Sequence, residues 1–154
     1  MIGKVSVQTM VEDQSASSAA FEPILAGGGI VTGSEAGKIA VVHRRRYAGE
    51  IGLPKGKVRV AEGETVVHAA EREVREETGY TVRAIGFGGL THYLTNGRPK
   101  VVFYYRMEII GYVGGIDTGE IQSVAWLTPE EAAATLTHAE DRVLITTVFA
   151  LPRR

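Results

Sequence analysis

The chain has 154 residues, 44% of them hydrophobic and 23% charged, with a formal net charge of −1. That size suits one domain burying about two thirds of its unfolded surface, and the balanced charge argues against a dedicated nucleic-acid binder, which carries a basic excess. No cysteine is present, which removes disulfides, thiolate metal sites and cysteine nucleophiles and accords with a cytoplasmic location.

Met1 to Ala20 carries acidic residues and no continuous apolar core. It reads as a flexible polar lead-in around "EDQSASSAA" rather than a signal peptide. A single domain is expected over residues 21–154. "FEPILAGGGIVTG" and "KIAVVHRRR" predict two strands joined by a turn at "GSEAG". Thr65 is the expected N-cap of a helix ending at Thr78, with Gly79 as the residue that ends it. Val67, Ala70 and Val74 give that helix an inward face. "TVRAIGFGGLTHYL" and "KVVFYYRMEII" flank Asn96-Gly97, a strong hairpin signal, and "IQSVAWL" follows as a further strand. Two helices close the chain, each with an expected capping box, Thr128 with Glu131 and Thr137 with Glu140, and Pro152 stops the last. No window approaches the roughly 18 apolar residues of a membrane span, since "VVFYYRMEIIGYV" is broken by Arg106 and Glu108. Strands, helix, strands, then helices predict the α/β (α+β) class, a mixed sheet covered on both sides.

Glu73, Glu76 and Glu77 pose a problem of charge. At 100° per residue they share an arc of roughly 100° on one helix face, and each like-charge pair costs about 0.2–0.5 kcal/mol without a partner. A divalent cation would offset that cost. Carboxylate oxygens at this spacing suit Mg²⁺ or Mn²⁺, whereas zinc is disfavoured by four scattered histidines and the lack of cysteine. Taken as charges alone, "EREVREE" also reads as a solvated face with Glu71–Arg75 and Arg72–Glu76 pairs.

The neighbours favour the cation. Arg72, Glu73, Val74, Glu76, Glu77, Gly79 and Tyr80 resemble, without a gap, the second half of the Nudix box. That box runs Gly, five residues, Glu, seven residues, then Arg-Glu-U-x-Glu-Glu-x-Gly-U, with U a bulky apolar residue. "LPKGK" just upstream is similar to the family's lead-in. The chain departs from the pattern once: seven residues, not five, separate Gly56 from Glu64. Glu62 would keep the first spacing and stretch the second, but Glu64 in "GET" directly precedes the helix and is preferred. Lengthening this loop adds only about 0.2 kcal/mol of closure entropy. Beyond the box, "PKVVFYYRM", "GEIQSVAWLTPEEA" and "EDRVL" resemble the MutT-like branch acting on diadenosine polyphosphates and nucleoside triphosphates.

The resemblance implies a Nudix fold and a Mg²⁺-dependent pyrophosphohydrolase. The substrate would be a nucleoside diphosphate linked to another group, expected to be a dinucleoside polyphosphate or (d)NTP. It implies metal ligation by Glu73, Glu76 and Glu77 with Glu64 assisting, and catalytic roles for Glu73, Glu76 and Arg72, the last orienting a carboxylate through an ion pair. Glu120, in "GGIDTGEIQ", is a candidate general base. Arg44, Arg46, Lys55, Lys57 and Lys100 are candidate phosphate contacts, with Tyr105 as a substrate contact. Tyr93, Tyr104 and Tyr105 could each stack on a base, although alternating Phe103 and Tyr105 also reads as sheet core. His43, His68, His92 and His138 read as structural. An ADP-ribose or nucleotide-sugar pyrophosphatase is the alternative, but Thr95 and Asn96 stand where that branch carries a proline. A catalytically silent binding module generally loses box carboxylates, and this chain keeps them. Neither a membrane nor a nucleic acid is an expected partner.

Overall fold

The computed structural model describes residues 22–46, 49–115 and 118–153; the expected lead-in lies outside them. In chain order the elements are β1 (Ile24–Thr32), β2 (Ile39–Arg44), β3 (Ile51–Gly52), β4 (Lys55–Lys57), a 3-10 turn (Val60–Glu62), α1 (Val66–Thr78), β5 (Tyr80–Thr95), β6 (Arg98–Tyr112), β7 (Ile121–Leu127), α2 (Pro129–Thr135) and α3 (Ala139–Val148). The mixed α+β architecture expected from the sequence is present.

Among the described residues the strands form one sheet, with β3-β2-β1-β6-β5 side by side, β4 added to β1 and β7 to β2. β1 runs parallel to β6 over its whole length, from Ile24 opposite Lys100 to Thr32 opposite Glu108. On its other edge β1 meets β4 at Ala26–Gly28 and β2 only at Thr32. β2 pairs instead with β7, Ile39 opposite Leu127. The sheet therefore forks at β1, and the fork is spanned by side chains described below.

Alternation along the strands divides the core in two. Ala26, Ile30, Val41, Val102 and Tyr104 face α2 and α3, packing on Ala132, Leu136, Leu144 and Ile145. Val31, Ala40, Val82 and Met107 face α1 through Ala70 and Val74. The glycine run in β1 follows from this two-sided packing. A Cβ on Gly27 would lie 2.6 Å from the Val66 carbonyl oxygen and 2.8 Å from the Ala70 nitrogen, so the backbone of α1 rests directly on the strand. On the opposite face, a Cβ on Gly28 would lie 2.6 Å from the Tyr104 ring.

The local signals for α1 hold: the Thr65 hydroxyl accepts from His68 N at 3.2 Å, and Gly79 closes the helix at φ +79°. Asn96 and Gly97 turn the hairpin with φ of +50° and +75°. The Thr128–Glu131 capping box forms in full. The expected box at Thr137 does not form. His138 is the N-cap of α3 without a side-chain bond, because the Thr137 hydroxyl accepts from Ile51 N at 2.9 Å, tying β3 to the helical layer.

Candidate active site

Arg72, on α1, organises the box. Its Nε and Nη2 donate to the two oxygens of Glu64 at 2.6 and 3.0 Å, and Nη2 also donates to the Lys57 carbonyl at 3.0 Å. Its Nη1 donates to Glu73 Oε1 at 2.7 Å and to Glu76 Oε2 at 3.2 Å. Two carboxylates thus converge on Arg72 Nη1. The Arg72 hydrogen bond holds the Glu64 carboxyl down to about 2. Burial pushes the Glu73 carboxyl up, against the pull of Arg72 and with help from the Glu76 charge. Gly56 in β4 abuts this group: a Cβ there would lie 2.0 Å from the Glu73 carboxyl carbon.

The two-residue insertion is absorbed by the 3-10 turn and by Gly63 at φ +73°. Glu64, the preferred box acid, still reaches Arg72 across it.

Glu77 faces elsewhere. Its side chain is 5% exposed and forms a bidentate pair with Arg44, Nη1 to Oε1 at 2.8 Å and Nη2 to Oε2 at 3.1 Å. Oε2 also accepts from the Lys55 backbone N at 3.3 Å, and Arg44 Nη2 donates to the Leu53 carbonyl at 3.2 Å. This pair bridges the fork between β2 and β4. Burial opposes the charge on Arg44, and Glu77 and Glu50 more than offset it.

β4 separates two chemistries by strand alternation. Gly56 turns to Glu73 on the α1 face, whereas Lys55 shares the Gly28 and Tyr104 side of the sheet. Lys100 lies on that same side, its ammonium 5.8 Å from the Tyr93 ring centroid. Burial and the nearby Lys55, Lys57 and Arg44 charges push the Lys100 ammonium down to about 8. Lys55 is lowered too, by burial first and then by Arg44. Lys100 is therefore within electrostatic reach of Lys55, Lys57 and Arg44, and Lys55 of Arg44, with Glu50 near both lysines and Asp141 and Glu77 near Lys55. Arg46 lies exposed in the turn after β2, and Glu120 is exposed just before β7, its carbonyl accepting from Arg45 N at 2.8 Å.

Tyr105 does not join the cations. Its ring packs with the α1-side core and edge-on to Phe87 at 5.8 Å, because odd positions of β6 face away from Lys100. Tyr93 takes the position beside Lys100, with its ring parallel to His138 at 6.2 Å. Two further residues had no signal in the sequence. Glu50, 8% exposed, places Oε1 3.0 Å from His138 Nε2 and 4.0 Å from Arg44 Nε. Arg59, in the lengthened loop, places Nη2 3.8 Å from Glu76 Oε1.

The donor set accommodates a hard divalent cation. Mg²⁺ is typically held by one or two carboxylates together with water and substrate phosphate, and Glu73 with Glu76 supplies such a pair. Among the described residues no three acidic or histidine side chains converge on one point; of the four acids expected to ligate a metal, Glu77 pairs with Arg44 and Glu64 with Arg72.

With the mixed sheet between helices and its acid-rich helix in place, the family model of the NUDIX domain matches residues 24–148. The chain belongs to the NUDIX family of hydrolases. It is 34% identical over 109 residues to the 8-oxo-(d)GTP phosphatase of Mycolicibacterium smegmatis, a match covering 70% of this chain and 32% of that protein. The chain thus spans about a third of that relative's length. Among solved structures it resembles a NUDIX hydrolase from Nitrosomonas europaea, with TM-score 0.72 and 21% identity over 84% of this chain and 90% of that one. It also resembles an Ap4A hydrolase of C. elegans, with TM-score 0.70 and 24% identity over 82% and 95% of the two chains. At these identities the structural likeness speaks to the fold. Among the described residues no helix is long and apolar enough to cross a membrane.

Proposed function

We propose that the domain is a Mg²⁺- or Mn²⁺-dependent pyrophosphohydrolase of nucleoside polyphosphates, either (d)NTPs or dinucleoside polyphosphates. The observation that carries this reading is the convergence of Glu73 and Glu76 on Arg72 Nη1, with cations on the other face of β4. β4, three residues long, turns Gly56 toward Glu73 and Lys55 toward the face that also holds Lys100. With Arg44 neutralised by Glu77, the three lysine charges match a chain of three or more phosphates better than the diphosphate of a nucleotide sugar. The names of the relatives, an 8-oxo-(d)GTP phosphatase and an Ap4A hydrolase, agree with that class of substrate.

Glu73 and Glu76 would hold the cation, which supplies charge neutralisation at the phosphate oxygens when bound. Arg72 fixes both carboxylates, so little reorganisation remains at the moment of reaction. Glu73 Oε2 has no hydrogen-bond partner among the described residues, which leaves it to the cation while Oε1 stays with Arg72. Glu120, exposed at the rim, is the proposed proton acceptor for the attacking water. Lys55, Lys57 and Lys100 would neutralise the phosphate chain and hold it in line for attack, with Arg44 braced beside them by Glu77.

A panel of nucleoside polyphosphates and nucleotide sugars, with products identified by chromatography, tests the reading. Glu76→Gln should lower turnover by about 10²-fold or more while the fold persists, since Arg72 keeps Glu64 and Glu73. Activity confined to ADP-ribose-like substrates would transfer the assignment to the nucleotide-sugar class. Binding without product at any metal concentration would make the domain a silent module.

A further inference from the structure

Glu76 stands between two guanidinium groups of different freedom. Arg72 Nη1 donates to Oε2 at 3.2 Å and is locked by its other bonds to Glu64, Glu73 and the Lys57 carbonyl. Arg59 approaches Oε1 with Nη2 at 3.8 Å and Glu62 with Nε at 4.0 Å, both beyond hydrogen-bond length. Its side chain is 52% exposed.

The loop that carries Arg59 does not depend on that side chain. Its closing bonds run through the backbone: Arg59 N to Glu64 Oε2 at 2.8 Å, and Glu62 N and Glu64 N to the Arg59 carbonyl at 3.0 and 3.2 Å. With Val58 N bonded to the Leu25 carbonyl at 2.9 Å, the backbone at Arg59 is anchored to β1. A fixed Cα therefore carries an unfixed cation at the mouth of the acid pair, in the loop that is two residues longer than the family spacing.

We propose that Arg59 is a substrate-contacting residue that changes partner on binding. Without metal its guanidinium shields Glu76. A divalent cation at Glu73 and Glu76 repels it, and the phosphates that the cation brings attract it. Arg59 then closes over the substrate's phosphate chain as a charge-assisted donor from the side opposite Lys55 and Lys100. The insertion would thus add a specificity element for polyphosphates. This inference rests on the nucleoside-polyphosphate reading of the site.

Two binding measurements on Arg59→Ala and Arg59→Lys test it. Mn²⁺ titration without nucleotide, followed by the resonance of free Mn²⁺, should show about threefold tighter binding in Arg59→Ala, because a competing surface cation is gone. Calorimetry with Mg²⁺ and a methylene-bridged, non-hydrolysable nucleoside triphosphate should show about tenfold weaker binding in Arg59→Ala. Arg59→Lys should recover part of that loss, and the corresponding monophosphate should discriminate much less between wild type and variant. Triphosphate binding in Arg59→Ala equal to wild type overturns the proposal even if Mn²⁺ affinity changes. Failure of the wild-type protein itself to bind any nucleoside triphosphate or dinucleoside polyphosphate sinks the functional reading, and this inference with it. The exposed side chain makes folding of both variants straightforward to verify by melting temperature.

Discussion

Replacing Gly56 by alanine probes the site without touching an ionisable group. The added Cβ would stand 2.0 Å from the Glu73 carboxyl carbon and 2.3 Å from each of its oxygens, where ordinary contact begins at 3.4 Å. The carboxyl carbon must therefore retreat by 3.4 − 2.0 = 1.4 Å. Gly56 does not use the left-handed region of backbone space, so alanine brings no backbone strain and the displacement falls on Glu73. Catalytic groups tolerate misplacement of about 0.5 Å, and an error of about 1 Å can cost 10²-fold in rate. We expect kcat/KM of Gly56→Ala to fall by about 10²-fold, measured by phosphate or pyrophosphate release. The stability cost should stay near 1 kcal/mol, because the obstructing atoms end a flexible side chain; that is a drop in Tm of about 2–4 °C. The effect should also be non-additive: in a Glu73→Gln background, Gly56→Ala should cost little more. Wild-type kinetics in Gly56→Ala would refute the reasoning, and so would full additivity with Glu73→Gln.

The remaining predictions concern charge. Glu77→Ala strands the buried Arg44 and should cost about 3–5 kcal/mol in urea unfolding, with part of the loss restored in Glu77→Ala/Arg44→Met; a cost below about 1 kcal/mol would remove the pair from the list of structural supports. Glu64 carries a carboxyl depressed from 4.5 to about 2, chiefly by its Arg72 hydrogen bond. A depressed acid stabilises the fold fully above its unfolded value and loses that contribution as pH falls through its folded one. Glu64→Gln should therefore flatten the decline of stability between pH 4.5 and about 2, and an unchanged slope would contradict the assignment. Lys100, pushed down to about 8, loses charge in the free enzyme as pH rises through that value. Polyphosphate kcat/KM should then decline above about pH 8, and Lys100→Arg should hold its rate further into base; an identical profile in the variant would place the titration elsewhere.

What was legible in the sequence was local. The α1 boundaries, the Thr128 box and the Asn96-Gly97 turn depend on residues within a few positions of one another. The misses depend on partners far along the chain. Thr137 has the residues of a capping box, but Ile51 N, 86 positions away, claims its hydroxyl. The pairing of Glu77 with Arg44, 33 positions away, has no local signal either. Tyr105 and Lys100 sit on one strand, and which face meets the box follows from β4 pairing with β1, not from the strand itself. β3 and β4, of two and three residues, are too short to show a period. Arg59 carries no pattern, being one arginine in an irregular loop.

The contact between Gly27 and the backbone of α1 has a consequence for how this architecture can change. A helix bedded on a strand takes its orientation from the strand, not from the tether leading into it. The tether is then at liberty to grow, shrink or exchange cargo while the acids behind it keep their aim. Residues 58–63, between the Lys57 carbonyl and Glu64 that hold Arg72, accordingly form a replaceable cassette that can vary without the acid-bearing helix ever being moved.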